Sequence, residues 1–114
     1  MPMARDRSSP EDIRRAVESV FGNVRAGLEH LVSIPSVSVA GYEAYNPDEV
    51  RRSAEETGTW LERSGLAGVR LLEVDGTHPA VFGRTPGPTG SPTVLLYAHH
   101  DVQPPGPALS LIHI

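Results

Sequence analysis

Residues 93–106, which read TVLLYAHHDVQPPG, constrain the fold of this chain more than any other stretch. Its five successive apolar or aromatic residues, 94–98, predict a short strand buried on both faces, because such strands read as continuous apolar runs. Three polar residues, His99, His100 and Asp101, follow at its carboxyl end. In open α/β sheets this edge is where ligands bind. We therefore expect a sheet built around this strand, with the chemistry at its end.

The polar residues of this stretch include a His-x-Asp pair. Side chains alternate along a strand, so His99 and Asp101 are predicted to face one side and His100 the other. Imidazole and carboxylate groups are good ligands for zinc or a similar divalent ion. Because zinc normally takes three or four protein ligands, two other interpretations stay open at this point. The pair can form a simple His–Asp hydrogen bond, or the segment can be a solvated polar loop.

Composition excludes several classes of partner and site. A net charge of −4 and a pI near 5.7 leave no basic face for nucleic acid, which requires clustered Lys and Arg. The absence of cysteine excludes disulfides and thiolate metal sites. The sequence has neither an apolar leader nor the ~18 consecutive apolar residues of a membrane span. We expect no nucleic-acid or membrane partner and a cytoplasmic location.

The first half of the chain carries the signals of a long amphipathic helix over about residues 10–33. Ser9 is predicted to be its N-cap, with Pro10 at the first helical position. His30 lies on this helix and is interpreted as a surface or half-buried residue rather than a ligand. The apolar stripe recurs at spacings of three and four residues and consists of Ile13, Val17, Val20, Phe21, Val24, Leu28, Leu31 and Val32.

A second helix is predicted after a loop. Pro35 forces Ile34 out of the helical region, so the first helix ends there. Asn46 is the predicted N-cap of the second helix, and Gly65 its stop. Its inward stripe consists of Val50, Ala54, Thr57 and Leu61, flanked by Trp60.

A β-hairpin is predicted next, with strands over residues 69–74 and 80–83 around the turn signal Asp75-Gly76. His78 is a second candidate ligand by residue type, but its place in the turn favours an ordinary loop residue. The predicted fold class is α/β: two N-terminal helices packed on a partial mixed sheet made of the hairpin and the strand over residues 94–98.

Three motifs give the chain a family resemblance over about residues 10–107. They are SIPSVS at residues 33–38, TWL with GL at residues 59–61 and 65–66, and LLYAHHDVQPPG at residues 95–106. In order and spacing they resemble the N-terminal part of the M20 family of zinc-dependent aminoacylases and carboxypeptidases, particularly its dipeptidase branch. The last motif is the specific one.

The resemblance implies a metallohydrolase that cleaves the amide bond of a dipeptide or small N-acyl amino acid with two metal ions. A two-metal site of this kind holds two Zn²⁺, with Mn²⁺ or Co²⁺ as alternatives. His99 matches the first metal-binding histidine of the family. Asp101 matches the catalytic-site aspartate that orients this histidine. His100 falls on the variable position between them. The family's complete proteins are expected to be homodimers.

The family's bridging aspartate, its Glu-Glu pair with the general base, and its remaining ligands have no counterpart in these 114 residues. The chain is therefore expected to be the incomplete start of a zinc-exopeptidase-like catalytic domain, inactive and poorly soluble by itself. We predict a flexible N-terminus over residues 1–9, the truncated domain over residues 10–107, and a non-native tail over residues 108–114. The sequence of that tail looks like a translated sequencing adapter.

Two rival functions are considered. The pair His100-Asp101 matches the dyad of an HD-type phosphohydrolase, although that dyad belongs on a helix and here follows a predicted strand. The other rival is a non-catalytic binding or regulatory fragment that pairs with a partner through an open sheet edge.

Overall fold

A computed structural model describes residues 8–106 of the chain. Its elements are α1 (Pro10–Ser33), α2 (Pro47–Arg63), β1 (Ala67–Leu72) and β2 (Ala80–Arg84). They divide between two compact units, Met1–His30 and Leu31–Ile114. The predicted tail, residues 108–114, and most of the predicted flexible start, residues 1–7, lie outside the described residues.

Helix α1 begins at the predicted cap. The Ser9 hydroxyl accepts a hydrogen bond from the Asp12 amide at 3.1 Å and donates one to the Asp12 carboxylate at 2.6 Å. The hydrogen bonds from the Ser9 hydroxyl and amide, followed by one from Arg15, hold the pKa of Asp12 below its usual range. His30 is exposed on the last turn, as predicted. The apolar stripe is 49–61% exposed at Ile13, Val17, Val20, Phe21, Val24, Leu28 and Val32.

Helix α2 packs on the hairpin that follows it. Asn46 caps its start by accepting a hydrogen bond from the Asp48 amide at 3.0 Å. Its end is closed by Gly65, whose φ of +85° lets the Gly65 and Leu66 amides reach carbonyls of the last turn. The predicted inward stripe is confirmed at Val50 and Ala54, which are 1% and 0% exposed.

Gly58 lies on the face of α2 that packs on the hairpin. A Cβ atom placed there would lie 3.8 Å from the side chains of Val69, Leu71 and Val81. This is ordinary van der Waals distance, so the side chains of both strands pack against this face of the helix. The buried apolar side chains of the described residues are Ile34, Val37, Val50, Ala54 and Pro79.

Strands β1 and β2 form the predicted hairpin as a two-stranded antiparallel sheet, with Leu71 opposite Val81. The first strand starts and ends two residues earlier than predicted, because the turn at Asp75 and Gly76 belongs to a longer loop, residues 73–79. The fold of the described residues is thus mixed α/β, with two helices and two strands.

The predicted central strand over residues 94–98 is wrong. Residues 91–100 form no strand, and the sheet of the described residues contains β1 and β2 alone. Val94, Leu95, Leu96 and Tyr97 are 76–90% exposed. An apolar run becomes a buried strand only where neighbouring strands pair with it and other elements cover its faces, and residues 8–106 supply neither.

In the part of the chain that the structure describes, no helix has the length and apolar character needed to cross a membrane.

Candidate functional site

The polar segment, residues 99–102, follows the apolar run and is held by the loop after α1. The Val102 amide donates to the Ser36 carbonyl and to the Ser36 hydroxyl, both at 3.2 Å. Val37 and Val102 form an isolated parallel bridge. Ser36 is fully buried and Val37 is 5% exposed, so the loop is itself fixed by packing. Residues 36–38 thus act as a template along which residues 101 and 102 lie.

His100 is fixed from the opposite side by α2 and the hairpin. The buried Ser53 hydroxyl donates to the His100 carbonyl at 2.7 Å and lies 3.2 Å from His100 Nδ1. His100 Nε2 lies 2.9 Å from the Pro79 carbonyl, which can only accept, so this nitrogen is a donor. The hairpin loop thus holds the His100 ring through Nε2, and α2 holds the His100 backbone carbonyl.

His99 and Asp101 form a pair on the other side of the segment, as the alternation of side chains predicts. His99 Nδ1 lies 3.1 Å from Asp101 Oδ1 and 2.9 Å from the Asp101 carbonyl oxygen. The His99 side chain is 60% exposed and that of Asp101 is 21% exposed. In the described part of the chain, His99 Nε2 has no hydrogen-bond partner and faces outward from the pair.

A third group, Ser38, completes this arrangement. The Ser38 hydroxyl donates to Asp101 Oδ2 at 2.6 Å, across 63 residues of sequence. This hydrogen bond, with a further one from His99, holds the pKa of Asp101 below its usual range against the opposing effect of partial burial. Asp101 is therefore a carboxylate at neutral pH, with a different partner on each oxygen.

This donor set fits one part of a metal centre. A metal-binding histidine usually donates its other ring N–H to a carboxylate or carbonyl, and His99 makes both contacts through Nδ1. Residues 8–106 contain no group of three or more His, Cys, Asp or Glu side chains that could hold a metal ion. The described residues therefore offer one ligand with its orienting carboxylate and do not form a complete zinc site.

His78 lies in the loop before β2. His78 is a half-buried loop residue, as predicted, and its ring contacts Tyr45 edge-on with centroids 5.7 Å apart. The Tyr45 hydroxyl lies 3.5 Å from His78 Nε2. His78 belongs to no group of three or more potential metal ligands within the described range.

The residues that the sequence interpretation missed are the serines that position the polar segment: Ser36, Ser38 and Ser53. The first two lie in a motif that contributed to the family resemblance but were given no role. Ser53 had a detectable signal, because it falls on the buried stripe of α2 between Val50 and Ala54. A hydroxyl on a buried stripe requires a hydrogen-bond partner.

No protein-family model, curated protein or solved structure matches the chain. The sequence motifs and the geometry of the residues themselves are therefore the evidence for function.

Proposed function

We propose that this chain contributes the first metal ligand, His99, and its orienting carboxylate, Asp101, to the centre of a metal-dependent hydrolase. The substrates are dipeptides or small N-acyl amino acids, whose amide bond is cleaved. This is the activity that the resemblance to the M20 family implies. The isolated chain is expected to be inactive, because the general base and the other ligands have no counterpart in its sequence.

The observation that carries the proposal is the geometry of His99. Its Nδ1 faces two acceptors of Asp101, the carboxylate and the carbonyl, so Nδ1 carries the proton when the ring is neutral. The lone pair is then on Nε2, the nitrogen with no partner among the described residues. Imidazole in this tautomer, supported by a carboxylate, is the usual histidine ligand of zinc.

Two bound divalent ions would supply polarisation of the scissile carbonyl and a nucleophile at neutral pH. The described residues of this chain would position the metal ligand and would take no part in bond cleavage themselves. Asp101 would hold the ring of His99 in one orientation and one tautomer, and Ser36 and Ser53 would hold the backbone that carries both.

The test is a zinc titration of the ¹⁵N-labelled chain, followed by NMR of the histidine ring nitrogens. We expect the Nε2 signal of His99 to respond at lower zinc concentrations than the signals of His30 and His78. A carboxylate partner typically changes metal affinity by about 10–100-fold, so the difference should be within that range. A His99→Ala variant should lose the strongest response, whereas the control variant His30→Ala should retain it.

Equal responses of His99, His30 and His78 would contradict the proposed metal role. Amide hydrolysis is measured in parallel on a dipeptide with saturating zinc, and we expect no turnover. Turnover by the isolated chain would show that the expectation of an incomplete site is wrong.

The phosphohydrolase interpretation has less support. Its His-Asp dyad belongs on a helix, whereas residues 99–101 are not helical. His100 bonds to Ser53 and Pro79 while Asp101 bonds to Ser38 and His99, so the two side chains do not face a common point.

The exposed run over residues 94–97 favours a second candidate, a non-catalytic fragment that pairs with a partner. It is uncharged, and within the described part of the chain its backbone amides donate no hydrogen bonds. An extended segment of this kind can add to the edge of another sheet. If protein that binds no zinc at His99 still forms a stable complex through this run, the second candidate replaces the first.

A further inference from the structure

Asp101 is held between two side chains, one on each carboxylate oxygen. Ser38 Oγ donates to Oδ2 at 2.6 Å, and His99 Nδ1 lies 3.1 Å from Oδ1. Rotation of the carboxylate about its Cβ–Cγ bond would break both contacts. The orientation that His99 meets is therefore set by the position of the Ser38 hydroxyl.

Ser38 is itself placed by the buried loop after α1. Its neighbour Val37 is 5% exposed and forms the parallel bridge with Val102, while Ser36 receives the Val102 amide. These contacts fix the backbone on both sides of the hydrogen bond between Ser38 and Asp101. The backbone that carries the Ser38 hydroxyl is thus held beside the Asp101 carboxylate.

The direction of the hydrogen bonds excludes a nucleophilic role for Ser38 in this arrangement. A nucleophilic serine gives its proton to a histidine that acts as a base. Here the Ser38 hydroxyl donates to the carboxylate, and the histidine on the far side of that carboxylate donates to it as well. The order Ser–Asp–His therefore stabilises one histidine tautomer and activates no hydroxyl.

We propose that Ser38 is a positioning residue that acts through Asp101 to keep the proton of neutral His99 on Nδ1 and the lone pair on Nε2. The inference rests on the proposed function for its purpose, a cation ligand at Nε2, but the tautomer can be measured without any metal. Ser38, Asp101 and His99 would then form a hydrogen-bonded series that leads from the loop after α1 to the ligand atom, His99 Nε2.

The test is long-range ¹H–¹⁵N NMR of the histidine rings, recorded at a pH where the spectra themselves show the His99 ring to be neutral. In the unmodified chain we expect His99 to be predominantly the Nδ1–H tautomer. In Ser38→Ala the ratio of Nδ1–H to Nε2–H should fall about threefold, a partial loss because the Asp101 carbonyl oxygen still lies 2.9 Å from Nδ1. Ser38→Thr keeps the hydroxyl and should keep the ratio, and the control Ser64→Ala, which removes an exposed hydroxyl on α2's C-cap, should not change it.

The Val102 amide signal reports whether the segment stays on Ser36 in each variant. An unchanged tautomer ratio in Ser38→Ala would overturn the proposal. Displacement of Val102 in that variant would overturn it too, because Ser38 would then hold the whole segment and not the carboxylate in particular.

Zinc added at the end separates this inference from the proposed function. A tautomer shift in Ser38→Ala, with no zinc response at His99 in either protein, would uphold the positioning role and reject the metal role. A zinc response at His99 that is equal in both proteins, with no tautomer shift, would uphold the metal role and reject the part assigned to Ser38.

Discussion

Residues 94–97 and residues 100–102 are neighbours in one extended stretch, yet their surroundings are opposite. The apolar side chains of Val94, Leu95, Leu96 and Tyr97 are 76–90% exposed. The polar part that follows is half-buried, and residues from three separate parts of the chain bond to it. Burial here follows the availability of partners: hydroxyls and carbonyls reach the polar part, and no strand or helix of the described residues covers the apolar part.

The largest effect is expected from removing the buried hydroxyl that holds the polar part. Ser53→Ala leaves the His100 carbonyl without its donor and the His100 ring without one partner. Loss of a buried hydrogen-bond partner costs about 1–3 kcal/mol. The free energy of unfolding, measured by urea denaturation with the fluorescence of Trp60, should fall by that amount.

The matched control for Ser53→Ala is Thr59→Ala on the same helix. The Thr59 hydroxyl bonds one turn back to the Glu55 carbonyl at 3.2 Å. Its removal should change the free energy of unfolding by no more than about 0.5 kcal/mol. Equal effects of the two substitutions would mean that the polar part is not held as described.

Amide hydrogen-exchange rates should also differ between the two parts of the stretch, with a smaller free-energy difference than the one expected for Ser53→Ala. The Val102 amide donates to Ser36, whereas the amides of residues 94–97 donate no hydrogen bond within the described part of the chain. We expect the Val102 amide to exchange at least about tenfold more slowly, after correction for intrinsic rates, which corresponds to ~1.4 kcal/mol. Strong protection at Leu95 and Leu96 would instead indicate that the apolar run is paired.

The smallest effect on stability is expected in the apolar run. Leu96 is 89% exposed, so Leu96→Lys should change the free energy of unfolding by no more than about 0.5 kcal/mol. The same substitution should reduce concentration-dependent self-association, measured by sedimentation velocity, because uncharged segments of high β-propensity pair with their own copies.

Thr89→Lys is the control for Leu96→Lys, since it adds the same charge in the exposed turn before the run. It should leave self-association nearly unchanged. If both lysines reduced association equally, net charge would be the cause and not the apolar run.

Local signals in the sequence predict the helices and the hairpin well. Ser9 and Asn46 cap α1 and α2 as expected, and Gly65 ends α2. Each of these signals depends on residues within one turn of the chain. The pairing of His99 with Asp101 also follows from local alternation along an extended backbone.

The features that the sequence did not predict depend on distant parts of the chain. The apolar run at residues 94–98 gives the same signal whether or not partner strands exist, so its burial cannot be inferred from the run itself. The contacts of Ser38 with Asp101 and of Ser53 with His100 span 63 and 47 residues. No periodicity along the chain reports pairs at such separations.

The same separations set an order of events during folding. Helix α2 and the two strands follow one another directly over residues 47–84, and local contacts of this kind form early. The polar segment reaches Ser36 across 66 residues and therefore has a longer loop to close. Ser53 offers its hydroxyl to His100 only after α2 has formed. We therefore expect Asp101 to reach Ser38 late in folding, and variants that slow α2 formation should delay the assembly of the site without altering its final geometry.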